Sequence, residues 1–465
     1  MYIDSIRIRN VRCFEDVKVD LVNPDSTAST APGALANVTL LFGENGTGKT
    51  TVLRAIALAL LGPTLQSNSG FVPYSLVRRV DNRPENTARV EASVRWHPED
   101  GMSGNRKVIT SLRPLDGDDR FDKLTANSPA LAKAQERKEG SVLLAYGAAR
   151  RIEPSIPDLR EPRSSKARLP RYERIASLFD ESKLLVPFDR WLHEYRRANP
   201  GRSKQTRTLL NRLLAEVGAE LGTIEKERVF IRRGADETPM DAMSDGFRAF
   251  LGWVGDILYH VNHNVMSGGM LHEMRGIVLV DEVDLHLHPV WQRSVVTTLA
   301  RALPKIQFVV TSHSPLVAGS LSSANIRRIV AAKAGGPLQV EALEEELFGR
   351  SVEQVLSSDL FALETTRAPG VVQALETLSD QAQAGDAEAA VTFMQVLADG
   401  ASAAPGLVKE AIEANEARWT MTSTPSKKKR KKTATATATR ARPKAKARKA
   451  VPAKTRRSKP KGAKR

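Results

Sequence analysis

Eight consecutive residues, Gly43-Glu44-Asn45-Gly46-Thr47-Gly48-Lys49-Thr50, match the phosphate-loop pattern G-x-x-x-x-G-K-[ST] in full. Their context narrows the fold further. Val38 to Phe42 reads as a short buried strand running into the glycines, and Thr50 to Leu61 as a helix ended by Gly62 and Pro63. Glycines let backbone N–H groups curl around phosphate oxygens, and the helix N-terminus adds a favourable dipole. An unliganded glycine turn between strand and helix is the alternative, and the match at all four fixed positions weighs against it. Asn45, Gly46, Thr47, Gly48, Lys49, Thr50 and Thr51 are therefore candidate nucleotide-binding residues. Lys49 is expected to reach the β- and γ-phosphates of ATP, and the Thr50 hydroxyl to ligate Mg²⁺.

A second motif lies more than two hundred residues on. Gly276-Ile277-Val278-Leu279-Val280 is an apolar strand ending in Asp281-Glu282. Two carboxylates at the C-terminal edge of a strand sit where ligands of open α/β sheets bind. Alone they are as easily solvated as functional; beside a phosphate loop they read as a Walker B pair. Asp281 is placed to hold Mg²⁺, directly or through water, and Glu282 to act as general base toward the attacking water. Ile277–Val280 and Gln307–Thr311 flank a helix from about Pro289 to Leu303, a βαβ pattern that favours parallel pairing.

Elsewhere, Ile6, Ile8 and Val11, then Val17, Val19 and Leu21, alternate with polar residues as two strands of an antiparallel hairpin. Residues 89–96, 107–112, 142–146 and 228–232 read as further strands. Residues 151–170 read as a loop, while 171–197 and 204–221 carry helical spacing too short for a long coiled coil.

The motifs together resemble a known group. Asp281-Glu282-Val283-Asp284-Leu285-His286-Leu287-His288-Pro289 is similar to the Walker B and D-loop of ABC-type ATPases of the SMC, RecF and OLD group. Met243-Ser244-Asp245-Gly246-Phe247-Arg248 resembles their signature motif, with Asp where many members have Gly. Thr311-Ser312-His313-Ser314-Pro315 resembles their switch-histidine segment, and Asn10-Val11-Arg12-Cys13-Phe14 their opening strands. The resemblance implies an α/β fold: an ABC-type P-loop NTPase head with a mixed β-sheet core, an N-terminal antiparallel hairpin and a helical lobe insert; the low-complexity Lys/Arg-rich end cannot bury a core and is expected to be a disordered basic C-terminal tail. The head would be split between 1–62 and 240–335, with antiparallel β and helical lobe over 63–239, a helical region over 336–420 and the tail over 421–465. It also implies a homodimer that sandwiches two ATP molecules. Ser244 and Gly246 of one copy would contact the γ-phosphate held by the other, and His313 would sense that phosphate. A histidine at a strand end is more often structural; its place after the second parallel strand favours the sensing role. His286 and His288 have H-x-H spacing, but the family carries the same string as a structural D-loop. Related ATPases have a glutamine between the P-loop helix and the lobe, for which Gln66 is the candidate here.

Residues 63–239 leave no room for an SMC coiled coil, and 325–420 lack the carboxylate spacing of an OLD Toprim nuclease. What remains most resembles the stand-alone ATPases of prokaryotic anti-phage systems, such as the Septu ATPase subunit, which works with a separate HNH nuclease. Tyr146-Gly147-Ala148-Ala149-Arg150 and Leu347-Phe348-Gly349-Arg350-Ser351 add to that likeness. A RecF-like repair ATPase and a slow-hydrolysing scaffold are the other readings.

Charge has to be divided before it means anything. The net charge of +17 is concentrated: residues 427–465 hold 19 Lys or Arg and no acidic residue. Removing them from the 70 basic residues leaves 51 against 53 acidic ones, a net of −2. The tail, without an aromatic residue for base stacking, is expected to contact DNA or another nucleic acid through phosphate neutralisation, or else to solubilise. No apolar run approaches the ~20 residues of a bilayer-spanning helix, so no membrane association is expected. Cys13 is the only cysteine, and the cytoplasm is the expected compartment.

Overall fold

In a computed structural model of the chain, two sheets enclose one helix. The structure describes residues 1–399 apart from 27–28, 69–74, 82, 85–86, 116–117, 123–140, 153–172, 226–227, 265–268 and 332–335, and beyond these only 405, 406 and 409. The basic tail and most of the 151–170 loop thus lie outside the described residues. Two compact units divide the chain, Met1–Thr366 and Arg367–Arg465.

The first sheet is antiparallel. β1 (Tyr2–Val11) and β2 (Phe14–Asp20) form the expected hairpin, and β1 pairs on its other side with β4 (Ala88–Trp96), followed by β5 (Gly104–Leu115) and β6 (Asp118–Phe121). The second sheet is mixed. Its order is β14 (Leu338–Ala342), β13 (Ile326–Ala331), β3 (Val38–Phe42), β12 (Ile306–Ser312), β11 (Gly276–Val280) and β7 (Val142–Tyr146). All but β14 run parallel to one another. Between β7 and β11 in the chain come β8 (Glu220–Glu225), β9 (Arg228–Arg233) and β10 (Asp236–Pro239), a separate antiparallel meander.

Period-two alternation sorts the parallel strands onto two cores. Leu40, Val278, Val280 and Val310 face a core closed by helices α2 (Phe188–Ala198), α3 (Pro200–Ala215), α4 (Asp245–Asn264) and α5 (Pro289–Ala302). Leu41, Ile277, Leu279 and Val309 face the other, which they share with β1, β4 and α1 (Lys49–Asn68). Buried on all sides between the sheets, α1 accounts for the apolar run Ala55–Leu61. Gln307 on β12 joins the sheets: its side chain accepts from the Ile3 amide and donates to the Ile3 carbonyl, each at 2.8 Å.

Three expectations need correction. Gly62 and Pro63 do not end α1, which continues to Asn68. A Cβ at Gly62 would lie 2.6 Å from Thr110 Oγ1, so glycine is there to let α1 approach β5. Residues 171–197 are not one helix: a 3-10 turn spans Glu173–Leu178, and α2 starts only after Pro187. The second helical stretch runs as Pro200–Ala215 and stops before Gly218, whose φ of 67° no helix accommodates. Glu220–Glu225 is strand instead.

In the second unit, α6 (Pro369–Gln383) and α7 (Ala387–Asp399) form a helical hairpin over Leu378, Ala389 and Val396. No helix among the described residues is long and apolar enough to cross a membrane.

Candidate functional site

β3 delivers the glycine-rich loop to the C-terminal edge of the parallel sheet, and α1 leaves it at Lys49. Gly46 and Gly48 have φ of 82° and 93°, where L side chains are strained. At Gly48 a Cβ would also lie 2.4 Å from Cys13 Sγ and 2.8 Å from the Phe14 ring, so the hairpin tip packs directly on the loop. Asn45 and Gly46 are exposed, Thr47 hydrogen-bonds through its hydroxyl to the Glu44 carbonyl at 2.8 Å, and Thr51 is buried beside Cys13. Lys49 is 7% exposed, and its ammonium donates to the carbonyls of Gly43 (2.9 Å) and Glu44 (2.8 Å). Burial lowers the Lys49 pKa, while Asp281, Glu282 and Asp284 act to raise it.

The two motifs meet through one hydrogen bond. The Thr50 hydroxyl donates to Asp281 Oδ2 at 2.7 Å, across 231 residues of sequence. The other Asp281 oxygen accepts from the Thr311 hydroxyl at 2.7 Å, and that hydroxyl accepts in turn from the Glu282 amide at 2.7 Å. β3, β11 and β12 are adjacent strands, which is why their C-terminal residues converge.

Glu282 adopts φ of 48°, a left-handed conformation that costs a non-glycine residue about 1–3 kcal/mol. Its peptide groups are pinned on both sides. The Val283 amide donates to the Thr311 carbonyl at 2.9 Å, and the Glu282 carbonyl accepts from the Leu285 amide at 3.0 Å and from Arg150 Nη2 at 2.5 Å. Arg150 is 6% exposed. Burial pushes its guanidinium down to about 10, against the pull of Asp281, Asp284 and Glu282. In the sequence this residue stood only as the end of the Tyr146–Arg150 likeness, with no role of its own. Its signal was a cation leaving the C-terminal edge of the strand at 142–146, but only the pairing of β7 with β11 places it at the carboxylates.

His313 follows β12, half-buried and edge-on to Phe42 with ring centroids 6.4 Å apart. Burial first, and the Lys49 charge second, lower its pKa, so the imidazole is neutral at pH 7. Ser244 and Gly246 do not join the hydrogen-bonded cluster. Ser244 is exposed just before α4, and Gly246 packs on the His286 carbonyl, 2.7 Å from where a Cβ would be. His288 caps α5, its ring nitrogen accepting from the Val290 amide. Gln66 falls near the end of α1.

The donors at Thr50 and Asp281 are hard oxygens, the chemistry Mg²⁺ selects, and Thr50 and Asp281 converge without rearrangement. These residues fit the ion, which when bound would neutralise charge on the phosphates.

Residues 38–319 match the AAA-domain family described as "AAA domain, putative AbiEii toxin, Type IV TA system". This chain belongs to that AAA-domain family. Residues 1–73 also match an "AAA ATPase domain". Its relatives include Septu and retron proteins. It is 26% identical over 366 residues to the Septu protein PtuA of Bacillus mycoides (strain KBAB4), covering 78% of this chain and 45% of that protein. Over 99 residues it is 34% identical to the Retron Vc95 probable ATPase of Vibrio cholerae serotype O1 biovar El Tor, covering 21% of this chain and 19% of that one. The chain therefore spans less than half the length of these curated relatives. Similar solved structures include the SMC head domain from Thermotoga maritima, at 13% identity and a TM-score of 0.43, covering 74% of this chain and 100% of that one.

Proposed function

We propose that this AAA-family chain binds and hydrolyses ATP with Mg²⁺, and that two copies close around two ATP molecules. The carrying observation is the 2.7 Å bond from Thr50 to Asp281, which joins phosphate loop and carboxylate strand at one sheet edge. Lys49 and the amides of residues 45–51 bind the phosphates, while Thr50 and Asp281 hold the metal. Glu282 accepts a proton from the attacking water as its oxygen bonds to the γ-phosphorus and the bridging P–O bond breaks. His313, half-buried after β12, senses the γ-phosphate as a hydrogen-bond partner. Ser244 and Gly246, at the exposed start of α4, serve the ATP held by the second copy.

Similarity to Septu PtuA and retron ATPases supports a role in prokaryotic anti-phage defence. There, head closure gates a partner nuclease in the cytoplasm. The chain itself does not cut nucleic acid: its carboxylates at the sheet edge are committed to ATP, and among the described residues no other cluster could hold a metal ion.

Glu282→Gln tests the reading. The amide cannot accept the proton, so ATP binding should persist, turnover should fall at least a hundredfold, and light scattering should find a dimer in ATP. A monomer under those conditions counts against the sandwich; undiminished turnover counts against Glu282 as the base. Incubating the purified chain with plasmid, single-stranded DNA and RNA, in Mg²⁺ and Mn²⁺, should leave all three intact. Cleavage lost on mutating a residue outside the ATP site would refute the division of labour.

A further inference from the structure

β7 ends at the same sheet edge as the two carboxylates. Tyr146 lies opposite Val280, and the Asp281 amide donates to the Tyr146 carbonyl at 2.8 Å. Four residues later, Arg150 donates to the Glu282 carbonyl while its guanidinium lies 5.4 Å from the centroid of the Trp253 ring. Trp253 belongs to α4, the helix that begins immediately after Ser244. Tyr146 holds the same helix twice, edge-on to Trp253 at 6.4 Å and through its hydroxyl to Asp256 at 2.7 Å. The segment Tyr146–Arg150 therefore grips α4 on one side and the backbone of Glu282 on the other.

We infer that Arg150 is a positioning residue coupling the helix that carries the signature motif to the carboxylate that activates water. This rests on the reading of Glu282 given above. A planar guanidinium held over a ring is directional, unlike a compact ammonium. Rolling α4 carries the Trp253 face away from Arg150, and the bond holding Glu282 in its left-handed conformation loosens with it. An arginine that merely balanced Asp281, Glu282 and Asp284 would need only its charge. It would be replaceable by lysine and indifferent to Trp253.

That contrast sets the experiment, on the full chain with Arg150→Ala, Arg150→Lys, Trp253→Leu and Trp253→Phe. The measurements are kcat, KM, ATP affinity by calorimetry, and hydrogen exchange over 282–287, where the Leu285 amide reports directly on the Glu282 carbonyl. Both Arg150 variants and Trp253→Leu should lose tenfold or more in kcat, keep KM and ATP affinity within threefold, and exchange faster over 282–287. Trp253→Phe, which retains an aromatic face, should recover most of the loss. Full activity in Arg150→Lys overturns the inference, as does wild-type kcat and exchange in Trp253→Leu, or a fall in ATP affinity matching the fall in kcat. If Arg150→Ala fails to fold, Arg150→Lys and Trp253→Leu decide by the same criteria. If the wild-type chain hydrolyses no ATP, the proposed function fails and exchange decides the coupling. Unchanged protection over 282–287 in Arg150→Lys and Trp253→Leu then sinks it.

Discussion

Lys49 spends its ammonium on two carbonyls of its own loop, so an incoming phosphate competes with neutral acceptors already in place. Charged phosphate oxygens win, because charge-assisted hydrogen bonds are roughly twice as strong as neutral ones. Lys49→Ala should accordingly reduce ATP affinity by at least a hundredfold in calorimetry, and unchanged affinity would rule out the phosphate-loop assignment. Loop and carboxylates were legible in the sequence because each is a contiguous string with its own strand beside it. Arg150 was not, since it reaches Glu282 across 132 residues and its role exists only once β7 lies beside β11. Gln66 was a candidate on residue type alone, whereas Arg150 donates at the carboxylate edge.

At the scale of elements, α4 carries two buried titratable groups, Asp256 and His260. Asp256 accepts from Tyr146 and, at 2.8 Å, from the Val186 amide, yet burial still raises it to about 6. One turn on, His260 is buried with its nearest nitrogen 3.5 Å from Asp256. Burial, helped by Arg174, pushes its pKa well below 6.5, so this contact is not an ion pair at neutral pH. The unfolded chain takes up a proton at this position below pH 6.5 and the folded chain does not, so His260 costs stability as pH falls through that point. Asp256 acts in the opposite sense between about 6 and its ordinary value near 4, where only the folded chain takes up its proton. His260→Gln should therefore narrow its melting-temperature deficit against the wild type between pH 7 and pH 5. A constant or widening deficit would mean that the imidazole takes up its proton inside the fold at least as readily as outside. The hairpin was readable from alternation and the central strands from short apolar runs, while Glu220–Glu225 was partly hidden in a helical spacing. The ends of helices were less readable, because Gly62 looks like a terminator until β5 is seen packing against it.

Across the whole molecule, charge is unevenly divided. Nineteen of the basic residues stand in 427–465, beside a remainder of net −2. Deleting that segment should weaken DNA binding at low salt and flatten its dependence on salt, because fewer counterions are released. An unchanged slope would place the contact outside 427–465. From Thr51 to Leu61, every residue of α1 except Arg54 is buried between the two sheets. Its amides can trade their protons for deuterium only when the sheets part, which makes that helix a clock for opening of the entire first unit. Because the phosphate loop runs straight into α1, any nucleotide that binds there slows the clock everywhere at once, by about 2.7 kcal/mol at a hundredfold excess over its dissociation constant. A nucleotide screen could therefore dispense with turnover and simply watch the slowest deuterium uptake in the molecule.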